Sequence, residues 1–319
     1  MATGLYTNYF GAAIFWAYNL AALALTSIVI HTLVNIQPPR HATHGTSRRY
    51  TRVFSGLAVL SFTTLSFNML SVLFQSYTQW SRRVPGADSE DQSGVASRIW
   101  LWSITSTLFR DFGEAIVANQ ARYLWVLSAL FATMSVCRRR AVPRLWAFFA
   151  LSQILPISFA QNLFYIALLR QPSGVQPVDV QPVDVQPMAC AAVLVVYSTL
   201  LTVATRTAHT SALMPLIGAA RLLLFTPLFL VKAGTRSASG TLSRQLQIPL
   251  SVVAGLLTLQ QAYLATRDDG LEEVALAVLS HPAVRSLGID LLISAMSFVV
   301  WQYADNGSDA TSADNGKAS

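Results

Sequence analysis

Charge is what this sequence has least of. Only 12% of its 319 residues are Asp, Glu, Lys or Arg, against 53% hydrophobic, and the mean hydropathy is +0.46. A soluble domain of this length carries about twice that share of charge, so an ordinary water-soluble fold is excluded. Cysteine is nearly absent: Cys137 and Cys190 both sit in or beside apolar runs, and neither belongs to a CxxC pair or a zinc spacing. A disulfide framework and a thiolate metal site are therefore not expected. Basic residues are missing ahead of the first apolar run, residues 10–36, which is also too long for a signal-peptide core. It reads as an uncleaved membrane span. Walker loops, dinucleotide fingerprints, nucleophile elbows and zinc-protease motifs are missing as well.

What the chain does have is apolar runs long enough to cross a hydrocarbon layer ~30 Å thick. Candidate spans fall at 10–36, 53–77, 119–137, 143–169, 188–205, 212–232, 247–266 and 286–303. The fold class is all-α, a polytopic transmembrane bundle of seven to eight spans. Residues 1–303 form a single transmembrane domain that includes a Pro-rich repeat loop at 171–187, and 304–319 form a disordered polar tail. The repeat, "VQPVDVQPVDVQP", denies helix its backbone donors and reads as an extended, solvated connection. The tail holds a single glycosylation sequon at Asn306.

The formal charge of +7 is explained by topology and needs no nucleic-acid partner. Arg40, Arg48, Arg49 and Arg52 precede the second run, and Arg138, Arg139, Arg140 and Arg144 precede the fourth. With eight spans both clusters face the cytosol, and 171–187 and the tail face the lumen. This count also puts Lys232, Arg236 and Arg244 on the lumenal side, against the rule.

Ionisable groups at membrane depth are costly, so they are where function is sought first. The stretch "STLFRDFGEAIVANQARYLW" carries Arg110, Asp111, Glu114 and Arg122. On a helix Asp111 and Arg122 fall within about 20° of each other and Glu114 about 60° to one side, while Arg110 is one turn from Glu114. Two readings stay open: ion pairs Arg110–Glu114 and Asp111–Arg122 at the membrane surface, or a carboxylic acid kept protonated in a dry pocket. The fourth run places Gln153, Gln161 and Asn162 around Pro156, which is expected to kink a spanning helix and free a carbonyl. Gln153 and Gln161 would lie about 80° apart on it, either bonding to neighbouring helices or lining a cavity. Asp290 sits near the start of the last run, either stabilised by that helix's N-terminus or facing the same cavity as Glu114. In "RDDGLEE", Asp268, Asp269 and Glu272 form a DDxxE pattern, read as an acidic helix start and not as a metal site.

Three stretches, "LFRDFGEAI…ARYLW", "RRRAVPRLWAFFALSQILPISFAQNLFYIALL" and "SLGIDLLISAMSFVVW", resemble small fungal integral membrane terpene cyclases of indole-diterpene and meroterpenoid biosynthesis. The resemblance covers roughly 98–170 and 286–303. It implies an enzyme of secondary metabolism in the endoplasmic reticulum membrane that protonates an epoxide or alkene of a prenylated substrate and closes rings through carbocations. It implies no metal and no cofactor, a lipophilic isoprenoid substrate, membrane lipids and other pathway enzymes as partners. Carried onto this chain, Glu114 is the proton donor, Asp290 its partner acid and Asp111 the alternative donor. Arg110, Arg122, Tyr123, Trp146, Gln153, Gln161, Asn162 and Tyr165 are expected around the substrate, the aromatic faces offering cation–π attraction to passing cations. The other reading of the residues is a non-catalytic polytopic scaffold or a carrier of lipophilic intermediates.

Overall fold

The computed structural model describes residues 9–36, 44–83, 95–105, 142–170, 187–207, 210, 212–223, 225–226 and 282–315, with isolated positions between 252 and 279. Every element among them is an α-helix: α1 (Tyr9–Asn35), α2 (His44–Arg83), α3 (Val95–Thr105), α4 (Leu145–Ile154), α5 (Ile157–Arg170), α6 (Pro187–Arg206), α7 (Leu213–Leu223) and α8 (Pro282–Asn315). Helix is what a low-dielectric solvent demands, because it satisfies the backbone's own hydrogen bonds.

Three helices are long and apolar enough to cross a membrane: Gly11–Asn35, Arg48–Arg83 and Pro282–Ala304. They match the expected first, second and last spans. Large apolar side chains such as Leu20, Leu23, Phe67, Phe74 and Leu292 remain exposed on them, the surface such helices offer to lipid. Two contact layers fix their directions. Phe54 on α2 packs on Trp301 on α8, and at the other end Trp80 of α2 shares a cluster with Ala283 of α8, Trp102 of α3 and Phe15 of α1. So α2 runs antiparallel to α1 and α8.

The expected fourth span is not one long helix. The chain from 142 to 170 forms two short helices, α4 of ten residues and α5 of fourteen, about 15 Å and 21 Å long at ~1.5 Å per residue. They fold back on each other. Phe148 and Phe164 meet with ring centroids 5.9 Å apart, whereas sixteen residues of unbroken helix would hold them about 24 Å apart. Arg144, at the start of α4, lies 3.4 Å from His31 near the end of α1; Ile154, at its finish, accepts a hydrogen bond from Tyr18 near the start of α1. Arg170, closing α5, donates to the Leu33 carbonyl at 2.9 Å. The segment therefore enters and leaves on one face, the face of Asn35 and His44. Its tip reaches Tyr18 and Asp290, seven or eight residues inside their spans, roughly two-thirds of the way across.

The physical reason is local. Pro156 cannot donate and disfavours helix at the residue before it, so Leu155 takes an extended conformation (φ −100°, ψ 173°) and the helix stops. A bent helix would keep running; here each half instead buries a face against the other and against α1 and α2. Ala147, Phe148, Leu151, Ala160, Phe164, Ala167 and Leu168 are all buried in that core. Such a re-entrant element is tolerated at membrane depth only when protein surrounds it. At the other end of the chain, α8 continues as helix to Asn315, where composition predicts a disordered tail. No proline interrupts this stretch, and a helix already nucleated in the bilayer extends cheaply, one hydrogen bond per added residue.

Candidate functional site

The tip of the hairpin is where polar chemistry gathers. Breaking a helix leaves carbonyls without partners at the end of one half and N–H groups without partners at the start of the next. In lipid each such group costs several kcal/mol unless it is satisfied. Here three other helices supply the partners. The Asp290 carboxylate of α8 accepts from both leading amides of α5: Ile157 N–H to Oδ2 at 3.0 Å and Ser158 N–H to Oδ1 at 2.8 Å. The Ser158 hydroxyl also lies 2.5 Å from Oδ1 and 2.5 Å from the Ser61 hydroxyl of α2. On the other side of the break the Arg221 guanidinium of α7 donates to the Gln153 carbonyl, and the Tyr18 hydroxyl of α1 donates to the Ile154 carbonyl.

The Asp290 carboxyl caps the N-terminus of α5 and the Arg221 guanidinium the C-terminus of α4, the arrangement that the helix dipoles favour. Asp290 is 4% exposed, and no guanidinium touches it among the described residues; the two groups are linked through the broken helix itself. The helix N-terminus that Asp290 meets is that of α5 and not that of its own helix. α8 starts at Pro282, two turns earlier.

From this tip a polar seam runs back toward the face on which the hairpin opens. On α8 it comprises Asp290, Ser294 and Ser297 and ends at Trp301, all buried. Asp290 and Trp301 are eleven residues apart, which puts them within about 20° on the helix and about 16 Å along it. On α5 it comprises Ser158, Gln161, Asn162 and Tyr165. The Gln161 amide nitrogen donates to the Tyr165 hydroxyl at 2.9 Å and approaches the Ser294 carbonyl at 3.4 Å; the Asn162 amide nitrogen donates to the Ser158 carbonyl at 2.7 Å. Because each amide nitrogen faces a carbonyl, the remaining oxygens are fixed as acceptors. Gln161 Oε1, Asn162 Oδ1 and the Ser294 hydroxyl are buried with no hydrogen-bond partner among the described residues. The seam closes on three buried rings. Tyr165 stacks on Trp301 at 4.7 Å and 9°, and Phe54 of α2 packs against both at 5.2 and 6.3 Å.

The structure thus gathers Asp290, Gln161, Asn162 and Tyr165 on one seam. It does not put Gln153 there by side chain: the two glutamines belong to different arms, so the shared face drawn on one continuous helix is not formed, and Gln153 contributes its backbone oxygen. Trp146 is 51% exposed in the first turn of α4, on the rim and away from the seam. Arg110, Asp111, Glu114, Arg122 and Tyr123 lie outside the described residues, as do Asp268 and Asp269. Glu272 is helical and exposed, and no group of three or more His, Cys, Asp or Glu converges among the described residues.

Sequence reasoning missed Tyr18, Ser61, Ser158 and Ser294. Only Ser158 carried a readable signal, its place two residues after a proline, where an N-terminal turn needs a cap. Comparison with known proteins leaves the site to be read from its chemistry, since no protein family, no curated protein and no solved structure matches the chain.

Proposed function

We propose that this chain is a membrane-embedded terpenoid cyclase of fungal secondary metabolism, a bundle of seven to eight spans in the endoplasmic reticulum membrane, acting without metal or cofactor on a prenylated, epoxidised substrate. The observation that carries the reading is a buried carboxyl at one end of a helical seam and, about 16 Å along it, a buried group of three aromatic rings. Carbocation chemistry uses both, an acid–base group and electron-rich surfaces shielded from water.

In this reading Glu114 is the proton donor and Asp111 its alternative. The acid's O–H bond breaks as the epoxide oxygen takes the proton, the C–O bond opens to a tertiary cation, and alkene π electrons form the ring C–C bonds. Loss of a C–H proton from the last cation regenerates an alkene, so the product is an isomer of the substrate and no oxidant or reductant enters. Asp290, whose two carboxyl oxygens accept three hydrogen bonds, is the partner acid in this reading.

One observation favours the second reading, a scaffold or carrier for lipophilic intermediates. The contacts of Asp290 with Ile157 and Ser158 serve the hairpin's architecture, as a purely structural cap would. The test is to incubate membranes holding the protein with linear and epoxidised prenylated substrates. Cyclised product from the wild type, lost in Glu114→Gln, supports the cyclase. Product unchanged in Glu114→Gln, Asp111→Asn and Asp290→Asn removes all three as the acid, and no product from any substrate favours the carrier. Under the cyclase reading, a metal chelator leaves the rate unchanged.

A further inference from the structure

We infer that the hairpin α4–α5 is re-entrant in the membrane, so that the connection after α1, the connection after α5 and the C-terminal end of α8 share the single face on which the hairpin opens. The argument starts from directions. α1 and α8 run toward that face and α2 runs away from it. The hairpin α4–α5 begins and ends there, so it adds no crossing. α7 also runs toward it: Arg221 meets the hairpin tip at Gln153, and Phe225, four residues later, meets Phe149, closer to the opening (centroids 5.0 Å).

An unrelated observation, the charge distribution, agrees. The face on which the hairpin opens holds Arg48, Arg49 and Arg52 in the first turns of α2, Arg144 at the start of α4 and Arg170 at the end of α5. A face so strongly basic fits the anionic headgroups of a cytosolic leaflet, each Lys or Arg near the surface being attracted by about 1 kcal/mol. The sequon at Asn306 then lies on the cytosolic side and stays unmodified.

Topology mapping in microsomes tests this without reference to catalysis. Single glycosylation sequons are placed within 38–42, 86–92 and 174–184 and after Ser319, in an Asn306→Gln background. The expected result is a glycan on the 86–92 sequon and on none of the others; the claim is the grouping of 38–42, 174–184 and the tail. A glycan on the 174–184 or tail sequon in chains whose 38–42 sequon carries none overturns it. Where an inserted sequon prevents accumulation, single cysteines at the same positions, in a Cys137→Ala, Cys190→Ala background, are labelled with membrane-impermeant maleimide before and after permeabilisation. The same grouping decides.

Discussion

Asp290 is the residue on which most depends. Its carboxylate holds two backbone amides and one hydroxyl that have no water to turn to. Asp290→Asn keeps one acceptor oxygen and turns an NH₂ group toward a donor, so a loss of about 2 kcal/mol or more is expected. Ser158→Ala removes only the hydroxyl and leaves the amide–carboxylate bond, for about 1 kcal/mol. Thermal unfolding in detergent should rank the two in that order, and the reverse order would mean that Asp290 is not the main cap. At the aromatic end, Trp301→Ala empties a large, fully buried space and should cost about 3–5 kcal/mol. Tyr165→Phe keeps the stack and loses the acceptor for Gln161, for about 1 kcal/mol, read in the same assay. The cost of an acid at this depth was legible in the sequence. Its partner was not, because Ser158 is 132 residues away and a single hydroxyl in an apolar run carries no mark of what it faces.

The hairpin is the element where sequence and structure part. Hydropathy reports how apolar a segment is and nothing about its direction. Twenty-eight mostly apolar residues around one proline fit a kinked span as well as two folded arms. Pro156 was readable as a breaker; what decides between bend and reversal is the packing of Phe148 on Phe164 and the capping of both broken ends from outside. With Cys137 and Cys190 replaced by alanine, Phe148→Cys and Phe164→Cys should be joined within one chain by a short bis-maleimide, seen as a mass gain without dimer. An unbroken helix keeps those positions too far apart for any short linker. Pro156→Ala adds an N–H donor at a tip whose acceptors are already engaged, and it should lower both the melting temperature and the crosslinking yield.

For the whole molecule, the long spans were the readable part because bilayer thickness imposes their length, and α1, α2 and α8 lie where the apolar runs predict. Local composition does not announce that the expected fourth span is two short helices, or that α8 continues as helix to Asn315. The seam that joins acid, amides and rings is built from α2, α5 and α8, segments distant in the chain, so no local pattern announces it. Its consequence for function belongs at this scale: the cyclase reading requires that Glu114, from the stretch between α3 and α4, be brought to that same seam. A crosslink between single cysteines at Glu114 and Ser294 would support that placement, and its absence in a folded, unlabelled-control chain would argue for the carrier.

The reach of Asp290 also sets an order of assembly. The amides it caps are made first and the carboxylate last, 132 residues later. At ~5–20 residues per second, the ribosome needs roughly 7–26 s to supply it. During that interval the newborn hairpin has its arms but not its clasp, and it must wait in the insertion machinery or under the care of a membrane chaperone. Chains stopped before Pro282 should therefore be degraded far faster than chains stopped after Ala304, even though both contain the whole hairpin. Quality control of this protein would then hinge on whether its final helix arrives.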